Sequence, residues 1–169
     1  NGDNHVAWDT VRGDTQRFKL NSDAAEDTDG TALLTFESDG FDLDTTDSNF
    51  NGSSRTYVSY GWDAGSSTLG TGDFTQGSLA STCRRSVDAG FSIVSYTGTG
   101  SATTVGHGLS KAPDLIIVKR LNGATDWITY HSANTSAPET DYLILNTTDA
   151  TADGSTSWND TAPTSSVFT

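Results

Sequence analysis

The chain repeats itself at a domain-sized spacing, and out of register with its own ends. Trp8-Asp-Thr opens a stretch that runs through Phe18-Lys-Leu-Asn21, Asp23-Ala-Ala, an acidic Asp29-Gly30 turn and Ser38-Asp-Gly-Phe41. Trp127-Ile-Thr opens a second, through Leu143-Ile-Leu-Asn146, Asp149-Ala150, Asp153-Gly154 and Ser165-Ser-Val-Phe168. Asn146 follows Asn21 by 125 positions and Phe168 follows Phe41 by 127, with a short insertion after the tryptophan. Self-similarity at a fixed spacing marks modular arrays, and this length holds about one and a third such units. The expected division is the C-terminal part of one unit over residues 1–75, a polar linker over 76–89 and the N-terminal part of the next unit over 90–169. A slice through a longer array is therefore expected, in which two partial tandem units leave strand edges open.

Period-2 patterning bounded by Gly, Asn, Asp and Ser runs along the whole chain, and helical periodicity is nowhere convincing. The clearest predicted strands are residues 56–62, 90–97, 114–121, 127–131 and 142–146, with weaker ones at 6–8, 18–21, 33–36, 41–43, 103–105 and 167–169. Val58, Tyr60 and Trp62 share one face of the first. Alternating aromatics of a strand usually face inward, so Trp62 and Trp127 are expected in the core. Leu115-Ile-Ile-Val118 is continuously apolar, as a central strand covered on both faces would be. Many short strands at this spacing predict an all-β fold, an antiparallel β-sandwich or jelly roll.

Charge excludes some partners. A net charge of -13 and a pI near 4.2 disfavour nucleic acid and anionic membranes, because phosphate contacts need Lys and Arg. No apolar run approaches the roughly 20 residues of a membrane helix, so no membrane insertion is expected. Cys83 is alone, which precludes an intrachain disulfide, and its polar surroundings suggest a free surface thiol.

No catalytic signature emerges, and neither an enzyme nor a cofactor is expected. Gly-x-Ser-x-Gly and phosphate-loop patterns are missing, and Gly98-Thr-Gly100 lacks a following helix. His5, His107 and His131 show no metal-ligand spacing, and His107, between two glycines, is expected to cap backbone groups. Asp42, Asp44 and Asp47, with Asn49, offer the hard oxygens calcium prefers, although a solvated loop accounts for them more simply. Trp158, Tyr130 and Tyr142 are the candidates for stacking sugar rings, with a place in the core as the competing role. Arg12-Gly-Asp14 spells an integrin-type tripeptide, which an acidic, Gly-rich chain produces by chance.

One stretch resembles a known module. Gly90-Phe-Ser-Ile-Val-Ser-Tyr-Thr-Gly-Thr-Gly-Ser101, Thr104-Val-Gly-His-Gly-Leu109 and Ala112-Pro-Asp-Leu-Ile-Ile-Val-Lys119 are similar to a tandem module of tail-fibre-like and other structural proteins of marine bacteriophages. Asn51-Gly-Ser-Ser54 and Tyr57-Val-Ser-Tyr-Gly-Trp62 match later elements of the same module, from the preceding copy. The resemblance implies a lectin-like β-sandwich in the virion or at an extracellular surface. Its implied partners are other copies of itself, other virion proteins and host-surface glycans. It carries over no catalytic residue. The residues alone also allow a secreted filament or adhesin subunit that assembles by strand exchange.

Overall fold

The computed structural model of the chain describes residues 3–28, 33–44 and 47–169, with backbone alone at Leu33, Leu34 and Asp44. In chain order the elements are β1 (Val6–Asp9), β2 (Gly13–Lys19), β3 (Asp27–Thr28), β4 (Leu33–Phe36), β5 (Phe41–Asp44), β6 (Thr68–Leu69), β7 (Ser81–Ser86), β8 (Phe91–Tyr96), β9 (Val105–Gly106) and β10 (Leu115–Val118). There follow β11 (Ile128–His131), a 3-10 turn (Pro138–Thr140), β12 (Asp141–Ile144), β13 (Ala152–Asp153), a single helical turn α1 (Ser155–Trp158) and β14 (Val167–Phe168). Every described strand pair is antiparallel, so the protein is nearly all β. The chain divides into two compact units, Asn1–Tyr60 with Lys119–Trp127 and Leu145–Thr148, and Gly61–Val118 with Ile128–Ile144 and Asp149–Thr169.

The first unit holds the sheet β1-β2-β3 and the hairpin β4-β5. A bulge between Ala7 and Asp9 lets β1 turn into β2, which begins at Gly13 with φ +98°, a backbone angle that favours glycine. Its core is aromatic and charged together. Phe18 meets Trp127 edge-on at 4.9 Å, and Trp8 meets Phe50 at the same distance. The Arg12 guanidinium lies 3.9 Å from the centre of the Phe18 ring while pairing with Asp9 and Glu26. Arg17, 6% exposed, sits between Asp27 at 3.2 Å and Asp47 at 2.8 Å. A buried guanidinium is tolerable only with such carboxylate partners.

The second unit holds the sheets β10-β11-β12-β13 and β6-β7-β8 and the pair β9-β14. Val105, Ile116, Tyr130, Trp158 and Phe168 form one buried cluster, which Val94, Tyr96, Val118 and Ile128 flank. β7 and β8 pair without a break from Ser81↔Tyr96 to Ser86↔Phe91. Ser81 and Cys83 fill the covered face of β7, both essentially without solvent exposure.

The sequence repeat is a structural repeat. In β1-β2 the partners are Val6↔Lys19 and Ala7↔Phe18; in β11-β12 they are Ile128↔Ile144 and Thr129↔Leu143. In β2-β3 Arg17 opposes Asp27, and in β12-β13 Tyr142 opposes Ala152, each 125 positions later. The ladders also close alike. Leu20 N–H donates to His5 O, and Asn21 Oδ1 accepts from His5 N–H. Leu145 N–H donates to Trp127 O, and Asn146 Oδ1 accepts from Trp127 N–H. Register therefore matches Trp8 to Tyr130 and Trp127 to His5, and the two tryptophans that open the sequence repeat are not equivalent. What the fold holds constant is the strand pairing and the inward aromatic, with three extra residues taken up in the β11-β12 turn.

Several sequence expectations are corrected. Residues 56–62 form no strand, and Val58, Tyr60 and Trp62 are 75%, 76% and 68% exposed. No strand pairing joins this segment among the described residues, and Trp62 stacks on Phe91. β10 is an edge strand, not a central one: Ile116 faces the core while Leu115 and Ile117 face solvent. Cys83 is fully buried, and burial pushes its thiol pKa up. The stretch 76–89, expected as a linker, contains β7.

Candidate functional site

Two of the three sugar-stacking candidates lie inside. Tyr130 and Trp158 are 4% and 2% exposed and meet edge to face at 5.7 Å. Trp158 Nε1 donates to Asp141 O, which satisfies the indole within the core. Tyr142 is half-buried, and its ring closes over Gly154, where an added Cβ would come within 2.6 Å of Cε1. Neither Tyr130 nor Trp158 offers an open aromatic face to a pyranose, because strand parity turns Tyr130 inward and the α1 turn folds Trp158 beneath β12.

Of the calcium candidates, Asp47 is already engaged by protein groups. Asp47 Oδ2 accepts from Arg17 Nη1, and its Oδ1 accepts from Asn49 N–H and Nδ2 at 2.8 and 2.6 Å. Burial pushes this carboxyl upward, but the Asn49 backbone N–H and the Arg17 charge outweigh that and hold its pKa below the ordinary value. Arg17 occupies the role a bound cation would have. Asp42 is exposed, and the side chain of Asp44 lies outside the described residues. Among the described residues no group of three or more His, Cys, Asp or Glu could hold a metal ion.

His107 does what its Gly-His-Gly setting suggests. It is 4% exposed, its Nδ1 accepts from Leu109 N–H, and its Nε2 donates to Thr164 O. An accepting Nδ1 requires the neutral ring, and burial lowers the pKa while the Thr164 contact opposes that. Arg12 of the integrin-type tripeptide is committed to Asp9, Glu26 and Phe18, and is not presented to a receptor.

Sequence reasoning missed a lysine lock. Lys119 Nζ donates to the carbonyl oxygens of Asp23, Arg120 and Gly123, below the face of Trp127. Desolvation lowers its pKa, with the Asp23 charge opposing. No local motif announces this, because the partners are carbonyls that only the fold assembles. Of nine basic residues, Arg12, Arg17, Lys19, Arg55, Arg84, Arg85, Lys119 and Arg120 all hold intrachain partners. The net charge of -13 leaves the outer field to the carboxylates.

What the surface offers is apolar and extended. Tyr57 is pinned at one end of residues 56–62, its Oη donating to Ser48 O and accepting from Gly52 N–H. Trp62 stacks on Phe91 at 6.0 Å. Between these anchors Val58 and Tyr60 project into solvent. A shallow open hollow lined by Gly65, Ser67, Leu69, Arg85 and Asp88 lies in the second unit; Arg85 there donates to Gly108 O.

These features define an acidic, all-β, aromatic-cored protein whose most exposed apolar surface is strand-like. The family profile described as a domain of unknown function (DUF7483) matches residues 1–169, and the chain belongs to that family. No curated protein matches it, and no solved structure does.

Proposed function

We propose that this chain is a non-catalytic structural and adhesive module of a virion, part of a tail fibre, head fibre or decoration protein, whose complete unit is a lectin-like β-sandwich. The observation that carries this reading is the repeated three-stranded frame, identical in register at both ends of the chain. Tandem frames suit proteins that span distance and present surfaces. The tail-fibre-like resemblance of residues 90–119 and 51–62 supplies the virion setting, and the acidic exterior suits a particle component that must avoid nucleic acid. Attachment to host glycans would fall to an exposed aromatic such as Tyr60 instead of the buried Tyr130 and Trp158.

Immunogold electron microscopy of the native assembly tests the setting. Label on fibres or capsids of phage particles is expected; label on free cellular filaments would transfer the module to a secreted adhesin. That second reading is favoured by the open apolar edge of β10.

A further inference from the structure

We infer that the hollow beside the β7-β8 turn of the second unit binds an uncharged sugar ring, a site that rests on the adhesive reading above and supplies its ligand class. Ser66, Ser67 and Leu69 line it from β6 and the segment before it, and Ser86, Val87 and Asp88 from the end of β7 and the turn that follows. Its volume of about 370 Å³ is at the small end of ligand sites. Both sides are fixed by the backbone. Gly65 has φ +79°, and a Cβ there would lie 2.2 Å from Arg85 O, so only glycine lets the chain lie this close to β7. Gly65 O accepts from Arg84 Nε at 2.8 Å, and Gly65 N–H donates to Asp63 Oδ1 at 2.6 Å. In the turn, Gly90 N–H donates to Val87 O and Ala89 N–H to Ser86 Oγ. A site formed before its ligand arrives loses little entropy on binding.

The lining selects the ligand. Ser66, Ser67 and Asp88 are exposed, and their side chains hold no hydrogen-bond or ion-pair partner among the described residues. Ser86 Oγ accepts from Ala89 N–H and keeps its own hydrogen to donate. Serine hydroxyls donate and accept while a carboxylate only accepts, a set that matches the alcohol groups of a sugar. Val87, 44% exposed, and Leu69 give apolar surface to the C–H groups of the same ring. Charged ligands fit worse. Arg85, the basic residue of the lining, gives its Nη1 to Gly108 O, while Asp88 and a net charge of -13 repel phosphates and sugar acids. Asp88 supplies one carboxylate, where calcium takes about six to eight oxygens. Because the hollow is open to water, a single ring should bind weakly, with Kd about 1–10 mM, and linked copies would multiply that hold.

The test titrates the full chain with D-glucose, D-galactose and D-mannose, each to about 100 mM, and follows the backbone amide signals by NMR. Saturable shifts at Ser66, Ser67 and Asp88 are expected for at least one of these sugars, half-complete at about 1–10 mM. Asp88→Ala should weaken that binding at least tenfold and Ser67→Ala should weaken it too, both without disturbing the fold, since neither side chain holds a partner in the protein. Ser136→Ala, in an exposed loop away from the hollow, should leave it unchanged. D-Glucuronate should bind at least tenfold more weakly than the best neutral sugar. The assignment is overturned by no saturable shift at these amides with any of the three sugars, by undiminished binding in Asp88→Ala, or by glucuronate binding as tightly as the neutral sugars. Saturable shifts at Tyr60 alone would remove this hollow and leave glycan attachment standing, and virion label in electron microscopy is independent of both.

Discussion

At the scale of single residues, what decides an interaction's worth is how dry it is. Asn21 and Asn146 make the same ladder-closing bond, but the first is exposed and the second partly buried. Asn21→Ala should therefore cost about 1 kcal/mol, whereas Asn146→Ala, which leaves the Trp127 amide without its acceptor, should cost about 1–3 kcal/mol; urea melting measures both. Protonation gives a second check. Asp47 has a folded pKa below its ordinary value of 3.8, so its contribution is complete above that pH and is lost as pH falls below it. His107 has a folded pKa below 6.5, so its neutral, doubly bonded ring stabilises the second unit above that pH and loses this as pH falls beneath it. Acid titration followed by residue-resolved amide signals should show the second unit weakening first, below about pH 6.5, and the first unit following in more acid solution. In Asp47→Asn the later step should shrink; an unchanged profile would mean the Arg17 pair contributes nothing to the pH dependence.

At the scale of elements, burial of an aromatic depends on having a partner element and not on its spacing alone. Trp158→Ala should cost about 3–5 kcal/mol, because it empties the centre of the second unit's core. Trp62→Ala should cost no more than about 1 kcal/mol, the value of its stack on Phe91. Thermal melting of the two variants distinguishes them directly. The same distinction explains which elements were legible in the sequence. Strands around 91–96, 115–118 and 128–131 announce themselves because their apolar residues alternate and find neighbours in the fold. Residues 56–62 alternate just as well and are not a strand, since a pattern specifies a face and cannot supply what covers it. β7 went unread for the opposite reason: its inward residues are Ser81 and Cys83, small and polar by type, and its arginines turn to carbonyls of Gly65 and Gly108. The stacking candidates were legible as aromatics but not as interior ones, because the edge-to-face contact of Tyr130 and Trp158 joins segments far apart in sequence. The lock at Lys119 was illegible altogether, having only backbone partners.

At the scale of the whole molecule, a uniformly acidic exterior sets the terms of assembly. Contacts between copies should strengthen as salt screens the net charge of -13, rising between low ionic strength and about 0.15 M, where the screening length is about 8 Å. Sedimentation at two salt concentrations checks the sign, and weakening with salt would indicate that ion pairs hold the copies together. The repeated frame is the central feature: the same antiparallel ladder, closed by an asparagine side chain, occurs twice in the chain. Amide hydrogen exchange read by NMR at two protein concentrations tests this most directly. Leu20 and Leu145 should be protected at both, because each amide closes its ladder on a backbone carbonyl. Rapid exchange of either amide at both concentrations would contradict it.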